Sequence, residues 1–360
     1  MKHIQALSFG LSAGRKKQIL FSFIPFIVLC LLSINLQRSQ AKLLEQNNET
    51  PTVNDTSPAI ESVPTIIFPT ITPAPVNNWQ PPLVDIPYAV GQFDHFYLLR
   101  PISVNSVNWP MPAYLYGYED SETEFPHSGL DFDAPLRTPI LAAAPGKVVF
   151  TGYGLALGKG NTKDPYGLAV VIRHDFSYYG YSILTVYAHM EKVTVEVGQK
   201  VKAGDEIGLV GLTGNTTGPH VHYEVRLEKD GTYYVQNPFL WMAPPVDCGI
   251  FVGRFVDAYD KYITAREVWI TSLTTGESWT VKTYATQDVP NDPYYKENVA
   301  LGDLPVGKYK VTYLNNYQYY KLEFAINPGM ITFIYFKSGE GFTSVALDPT
   351  PLTGFIPPIP

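Results

Sequence analysis

Cysteine is almost missing from this 360-residue chain, which holds only Cys30 and Cys248. Cys30 lies inside an apolar run near the N-terminus, so no disulfide framework can form within the folded part. Structural zinc held by four cysteines is excluded for the same reason. Charge is scarce too, at 16% of residues with a formal net charge of -7. No cluster of Lys and Arg is available to neutralise phosphates, which argues against nucleic acid as a partner. An acidic balance also suits a simple electrostatic hold on anionic lipid poorly. A long amphipathic helical period is the third absence, and it points away from α-helical folds. Any metal site must therefore be built from carboxylates and the seven histidines, His3, His95, His127, His174, His189, His220 and His222.

What is present divides the chain into stretches. Residues 1–18 end in Arg15, Lys16 and Lys17, followed by the uncharged run Ile19 to Leu36. Basic residues before such a run predict a cytoplasmic N-terminus and an exported remainder. Residues 19–36 read as a membrane anchor or signal segment, with Ser39-Gln40-Ala41 offering a small-x-small cleavage site. Residues 37–83 are a linker rich in Pro and Thr, a composition that stays extended because each proline fixes its own backbone angle. From 84 to 245 short β-rich runs alternate with Gly, Pro and Asn: Gly146 to Phe150, Leu168 to Arg173, Ser182 to Tyr187. From 248 to 345 the strands become regularly spaced, as at Glu267–Leu273, Tyr309–Leu314, Tyr319–Ile326 and Ile331–Phe336. That spacing predicts a compact β-sandwich, an accessory module without a catalytic constellation. A Pro-rich tail, 346–360, ends the chain. The predicted class is all-β, with antiparallel strands in the first domain and a sandwich after it.

Three segments carry chemistry: His127-Ser-Gly-Leu-Asp131, Tyr187-Ala-His189-Met190 and Gly218-Pro-His220-Val-His222-Tyr-Glu224-Val225. In a strand, residues two apart share a face, so His220 and His222 project to one place. Glu224 alternates onto that face, where it can orient a metal ligand or simply serve the sheet. Catalytic zinc commonly takes three ligands from His and carboxylate and keeps a fourth position for water, and His127 and Asp131 can supply the missing partners. His189 alone ends a strand-like run. His95 and His174 read as core or surface histidines. Asn215, Thr216 and Thr217 line a groove or make the turn before His220. The stretch Val197 to Gly204 also has the look of a carrier-domain turn, but an exported carrier would meet no acyl-transfer partner.

Taken together, HSGLDFDAPLRTPILAAAPGKV, VYAHM and VEVGQKVKAGDEIGLVGLTGNTTGPHVHYEV resemble the lysostaphin/LytM-type zinc peptidases, peptidase family M23, over His127 to Val225. The resemblance implies an antiparallel LytM-type, duplicated-hybrid-motif-like domain. It implies Zn2+ held by His127, Asp131 and His222, with His189 and His220 as the catalytic pair that handles protons and the oxyanion. The implied activity is a zinc metalloendopeptidase acting on peptidoglycan stems or cross-bridges in the cell envelope, outside the cytoplasm. Its partners would be peptidoglycan peptides and the cytoplasmic membrane, the latter through the N-terminal segment. The competing reading is a non-catalytic LytM-type binding protein that activates another wall hydrolase; a third is a peptidase for Gly-rich extracellular proteins. One departure stands out: Gly152 to Gly167 forms an expanded loop where a short turn would suffice.

Overall fold

The structure is a computed structural model that describes residues 94–103, 115–119, 126–284 and 289–343, all within one compact unit. The anchor or signal segment, the linker and the Pro-rich tail lie outside the described residues. Among the described residues no helix is long and apolar enough to cross a membrane.

Ten strands build the first half: β1 (Leu130–Asp133), β2 (Pro139–Leu141), β3 (Gly146–Gly152), β4 (Ala169–Tyr178), β5 (Tyr181–Ala188), β6 (Met190–Val193), β7 (Lys200–Val201), β8 (Glu206–Val210), β9 (His220–Lys229) and β10 (Thr232–Gln236). A seven-stranded sheet runs β1-β9-β5-β4-β3-β7, with β10 also paired to β9, and a smaller sheet runs β2-β8-β6. All of these pairings are antiparallel, as the pattern of short runs and turns predicts.

Alternation then sorts the two faces. Leu130, Phe132, Ile172, Ile183, Tyr187, Val221, Tyr223 and Val225 enter the main core. Fully burying a side chain of this size contributes roughly 1.5–3 kcal/mol. The residues between them face the other way. There Val171, Leu184 and Val186 form a second cluster, covered by Phe150, Leu155 and Tyr166. Leu155 and Tyr166 belong to the expanded loop, so that loop roofs the second face of the sheet. Asp164 holds it in shape: its buried carboxylate accepts backbone N–H bonds from Ala156 (2.7 Å), Leu157 (2.6 Å) and Tyr166 (3.0 Å).

His174 serves the core. Its Nδ1 lies 3.2 Å from the Pro145 carbonyl and its Nε2 3.0 Å from Thr185 Oγ1, which is 3.0 Å from the Tyr187 hydroxyl. That hydroxyl in turn accepts the Ala143 N–H at 2.8 Å. Burial pushes the imidazole down to about 4, so it stays neutral and the chain of bonds is maintained. Between pH 6.5 and 4 the unfolded chain takes up this proton and the folded chain does not, so stability falls as pH falls through that window. At about 1.36 kcal/mol per unit, the loss is about 3 kcal/mol by pH 4. Urea denaturation at pH 7 and pH 4 should show it, and His174→Gln should narrow the difference between the two. An equal pH response in the variant would refute the assignment.

Residues 248–343 add β11 (Cys248–Val256), β12 (Glu267–Ser272), β13 (Ser278–Lys282), β14 (Val299–Pro305), β15 (Gly307–Asn315), β16 (Gln318–Ile326), β17 (Ile331–Lys337) and β18 (Gly341–Thr343). They form two four-stranded sheets, β14-β11-β17-β18 and β13-β12-β15-β16. The sheets meet through Phe255, Tyr313, Phe336, Phe251 and Phe324. Only β11 with β17 pairs in parallel among these named strands, a connection that turn spacing does not reveal.

The two halves share one hydrophobic core. Phe239 lies so close over Gly302 that a Cβ there would overlap its ring. The Tyr295 hydroxyl donates to Asp94 (2.6 Å), Asn237 Nδ2 donates to the Tyr284 hydroxyl (2.8 Å), and buried Arg100 pairs with Asp303. The second module is thus welded to the first rather than strung beside it.

Candidate metal centre and catalytic histidines

The site forms on the sheet face opposite the main core. In the β1–β9 register Asp131 lies directly across from His222, and Asp133 across from His220. On the other side of β9, Ala188 pairs with His222, so His189 follows one step beyond. With β9 between β1 and β5, the three sequence segments arrive at one level of the sheet. His127 comes from the chain just before β1, where its N–H donates to the Tyr118 carbonyl at 2.8 Å.

His127 Nε2, Asp131 Oδ1 and His222 Nδ1 converge. The pairwise distances are 3.0 Å for His127 to Asp131, 2.9 Å for His127 to His222 and 2.8 Å for His222 to Asp131. The far nitrogens decide the tautomers. His127 Nδ1 faces the Leu115 carbonyl at 3.1 Å, and His222 Nε2 faces the Glu224 carboxylate at 3.0 Å. Both partners only accept, so each far nitrogen carries the proton and each near nitrogen presents a lone pair. Two lone pairs and a carboxylate oxygen, all within 4.8 Å of one another, repel unless a cation sits among them. The donor set therefore fits a divalent metal with N and O ligands.

The electrostatics draws positive charge, a proton or a metal ion, to this point. Burial raises the cost of ionising Asp131, but His127 and His222 outweigh it and hold the carboxyl well below its usual range. For His222, burial disfavours the charged ring, yet Asp131 and Glu224 on either side push it up to about 9. The site is built to stabilise positive charge at the point where the three ligand atoms meet.

Glu224 is a fully buried hub. Its Oε1 accepts from Ser128 Oγ (2.5 Å), the Tyr166 hydroxyl (2.7 Å) and His222 Nε2 (3.0 Å); its other oxygen takes Arg226 at 2.5 Å. Of the two readings left open for this residue, the structure shows contact with a candidate ligand. Ser128, Tyr166 and Arg226 were not legible as site residues, because each reaches Glu224 only through side-chain geometry. Period-2 alternation does put Arg226 on the site face, a signal available from sequence. Replacing Glu224 by Ala strands Arg226 and unties His222. A stability loss of about 3 kcal/mol is expected in urea denaturation, with metal affinity falling about 10–100-fold by competition with a chromophoric chelator. Unchanged metal affinity would refute the orienting role.

His189 and His220 stand beside the centre with ring centroids 4.7 Å apart. Each is aimed by a carbonyl: His189 Nδ1 lies 2.8 Å from Thr213 O, and His220 Nδ1 lies 2.8 Å from Gly218 O. Both Nε2 atoms are thereby turned away from those anchors, and His220 Nε2 is 3.5 Å from Asp131 Oδ2. Burial, with His222 and His220 nearby, pushes His189 down to about 3, so it is neutral. His189 also has φ 60°, a left-handed conformation that a non-glycine residue holds only under constraint. Its N–H to the Tyr166 carbonyl (2.9 Å) supplies part of that constraint. Asn215 and Thr216 make the turn before His220, through the Asn215 N–H to Pro165 O (2.8 Å) and Thr216 Oγ1 to Gly218 O (2.7 Å). Close backbone approach of Gly167 and Gly214, with φ of 61° and 81°, locks the expanded loop against that turn. His95 lies elsewhere in the core, its Nε2 3.3 Å from Asp292.

Residues 125–234 match the sequence profile of peptidase family M23. Over 101 residues the chain is 43% identical to the peptidoglycan DD-endopeptidase ShyA of Vibrio cholerae, covering 28% of this chain and 20% of that protein. It is 40% identical over 104 residues to an uncharacterized metalloprotease of Buchnera aphidicola, covering 29% of this chain and 24% of the relative. Among solved structures, the catalytic domain of lysostaphin from Staphylococcus simulans aligns with 29% identity and a TM-score of 0.29, over 35% of this chain and 86% of that domain. The chain spans about a fifth to a quarter of the length of the curated relatives it matches. The profile match covers the convergent histidines and Asp131 together, and on that ground residues 125–234 of this chain are a domain of peptidase family M23.

Proposed function

We propose that this chain is a zinc metalloendopeptidase that hydrolyses peptide bonds in peptidoglycan stems or cross-bridges outside the cytoplasm. The observation that carries the reading is the convergence of three metal-binding lone pairs beside two histidines whose Nε2 atoms are aimed by carbonyl anchors. Zinc suits two imidazoles and one carboxylate. When bound it polarises the scissile carbonyl and acidifies a water near neutral pH. His127, Asp131 and His222 hold it, and Glu224 fixes the orientation of His222. His189 and His220 divide the proton and the oxyanion between them: a neutral imidazole accepts the proton at Nε2, and a protonated one donates to the developing oxyanion or the leaving amine. The Vibrio cholerae relative is a peptidoglycan DD-endopeptidase by name, which supports the wall as substrate. Residues 84–245 are the peptidase unit, 248–345 the appended sandwich, and 19–36 the segment that takes both out of the cytoplasm, as a membrane anchor or as a signal.

The test is digestion of purified wall sacculi by the full chain, with zinc removed by a chelator and then restored. New amino groups without new reducing sugar ends, lost on chelation and regained with zinc, are expected. Protein that holds zinc yet releases nothing would overturn the enzymatic reading in favour of a binding protein that activates another hydrolase.

A further inference from the structure

Building on the peptidase reading, we propose that Arg137 is a specificity residue that takes a free carboxylate of the peptide substrate. It lines a cleft of about 580 Å³ together with Leu136, Glu191, Gly211, Leu212 and Thr213. The cleft shares Thr213 with the surroundings of the candidate site. Thr213, one of its walls, supplies the carbonyl that anchors His189 Nδ1 at 2.8 Å, and its hydroxyl donates to Met190 O at 2.9 Å. Glu191 follows His189 by two positions. A peptide lying across the two histidines can therefore extend into this cleft.

Leu136 and Leu212, both about half exposed, give the cleft apolar walls. Arg137 is the cation at its edge. Its side chain is 73% exposed, yet it is held in place: Nε lies 3.0 and 3.2 Å from the two Glu191 oxygens and Nη2 lies 2.9 Å from Oε1. Only Nε and Nη2 face Glu191, so the Nη1 edge of the planar fork is left to meet a second acceptor. The backbone at the same residue is constrained. Arg137 has φ 70°, fixed by its N–H to Val210 O (2.8 Å) and by the turn that Thr138 closes onto Pro135 O. Glycine adopts that conformation without strain, whereas an arginine does not. A strained backbone that carries an aimed cation at a cleft beside the catalytic histidines marks a ligand contact. The ligand is an extended peptide that lays apolar surface on Leu136 and Leu212 and places a carboxylate on Arg137.

Binding to full-length, zinc-loaded His189→Ala protein tests this without turnover. The probes are two synthetic wall stem peptides, identical except that one carries its side-chain carboxylates free and the other carries them as amides. The free form should bind about tenfold tighter, and the preference should shrink in high salt. In His189→Ala/Arg137→Gln the preference should vanish while the amide form binds as before. Arg137→Gly should lose the preference equally and yet raise the melting temperature, since it relieves the strained φ. Equal binding of both peptides, binding of neither, or a preference that survives Arg137→Gln overturns the proposal. Sacculus digestion by the unmutated chain is scored separately. Cleavage without a carboxylate preference sinks only this inference, and a preference without cleavage sinks only the peptidase reading.

Discussion

Asp131→Ala is expected to abolish wall hydrolysis and bound metal together while leaving the fold intact. The carboxylate is the centre of the cluster: Oδ1 is 3.0 Å from His127 Nε2 and 2.8 Å from His222 Nδ1. Without it, two neutral imidazoles remain, with no anionic ligand and one coordination position fewer. A Lewis-acidic metal contributes several kcal/mol to transition-state stabilisation. At about 1.36 kcal/mol per decade, its loss costs roughly 10³-fold or more in rate. His222→Ala should behave alike, since His222 faces Asp131 across the β1–β9 register. Elemental analysis of the purified variants, with circular dichroism to verify the fold, checks both. Either variant retaining a full equivalent of zinc and wild-type turnover would remove the basis for the assignment.

The second large effect is expected at His189, and it should separate chemistry from metal binding. His189→Ala removes an imidazole whose Nδ1 is fixed by Thr213 O and whose Nε2 faces the reacting groups in the proposed mechanism. Loss of a positioned general acid or base typically costs about 10²–10⁴ in kcat. Zinc content should stay at the wild-type level, because His189 is absent from the three-ligand cluster. KM should change little, as expected when an interaction made only in the transition state is lost. His220→Ala should give a loss of similar size. The double variant should lose much less than the product of the two, because the pair acts as one unit. Steady-state kinetics on a soluble cross-linked peptide measures all three. Multiplicative losses would show that the two rings act independently.

Much of this site was legible in the sequence, for a physical reason. Strand periodicity is local, so His220-Val221-His222 announces which side chains share a face before any tertiary contact is known. The strands from Gly146, Ser182, Glu267 and Ile331 were readable in the same way, and each begins within two residues of its expected place. Glu224 was visible on the correct face, but its function was not. Its partners Ser128 and Tyr166 lie 96 and 58 residues away in the chain, and no local period encodes such a meeting. The left-handed φ of His189 and Arg137 is hidden too, since a single non-glycine residue carries no mark of the conformation its neighbours force on it.

The joining of the two modules follows the same logic. Turn spacing suggested a compact sandwich from residue 248, and the structure runs one core across the boundary through Phe239, Gly302, Tyr284 and Tyr116. Composition reports that a core exists; it does not report which apolar residues meet across a junction.

By itself, then, the amino-acid sequence determined the all-β class and which strand residues share a face, because these follow from local alternation; the candidate ligands His127, Asp131 and His222 came from the motif resemblance. Strand order and register were decided only in three dimensions. Placing β9 between β1 and β5 sets Asp131 opposite His222 and brings His189 alongside. A one-residue slip of β9 would turn His220, His222 and Glu224 into the core.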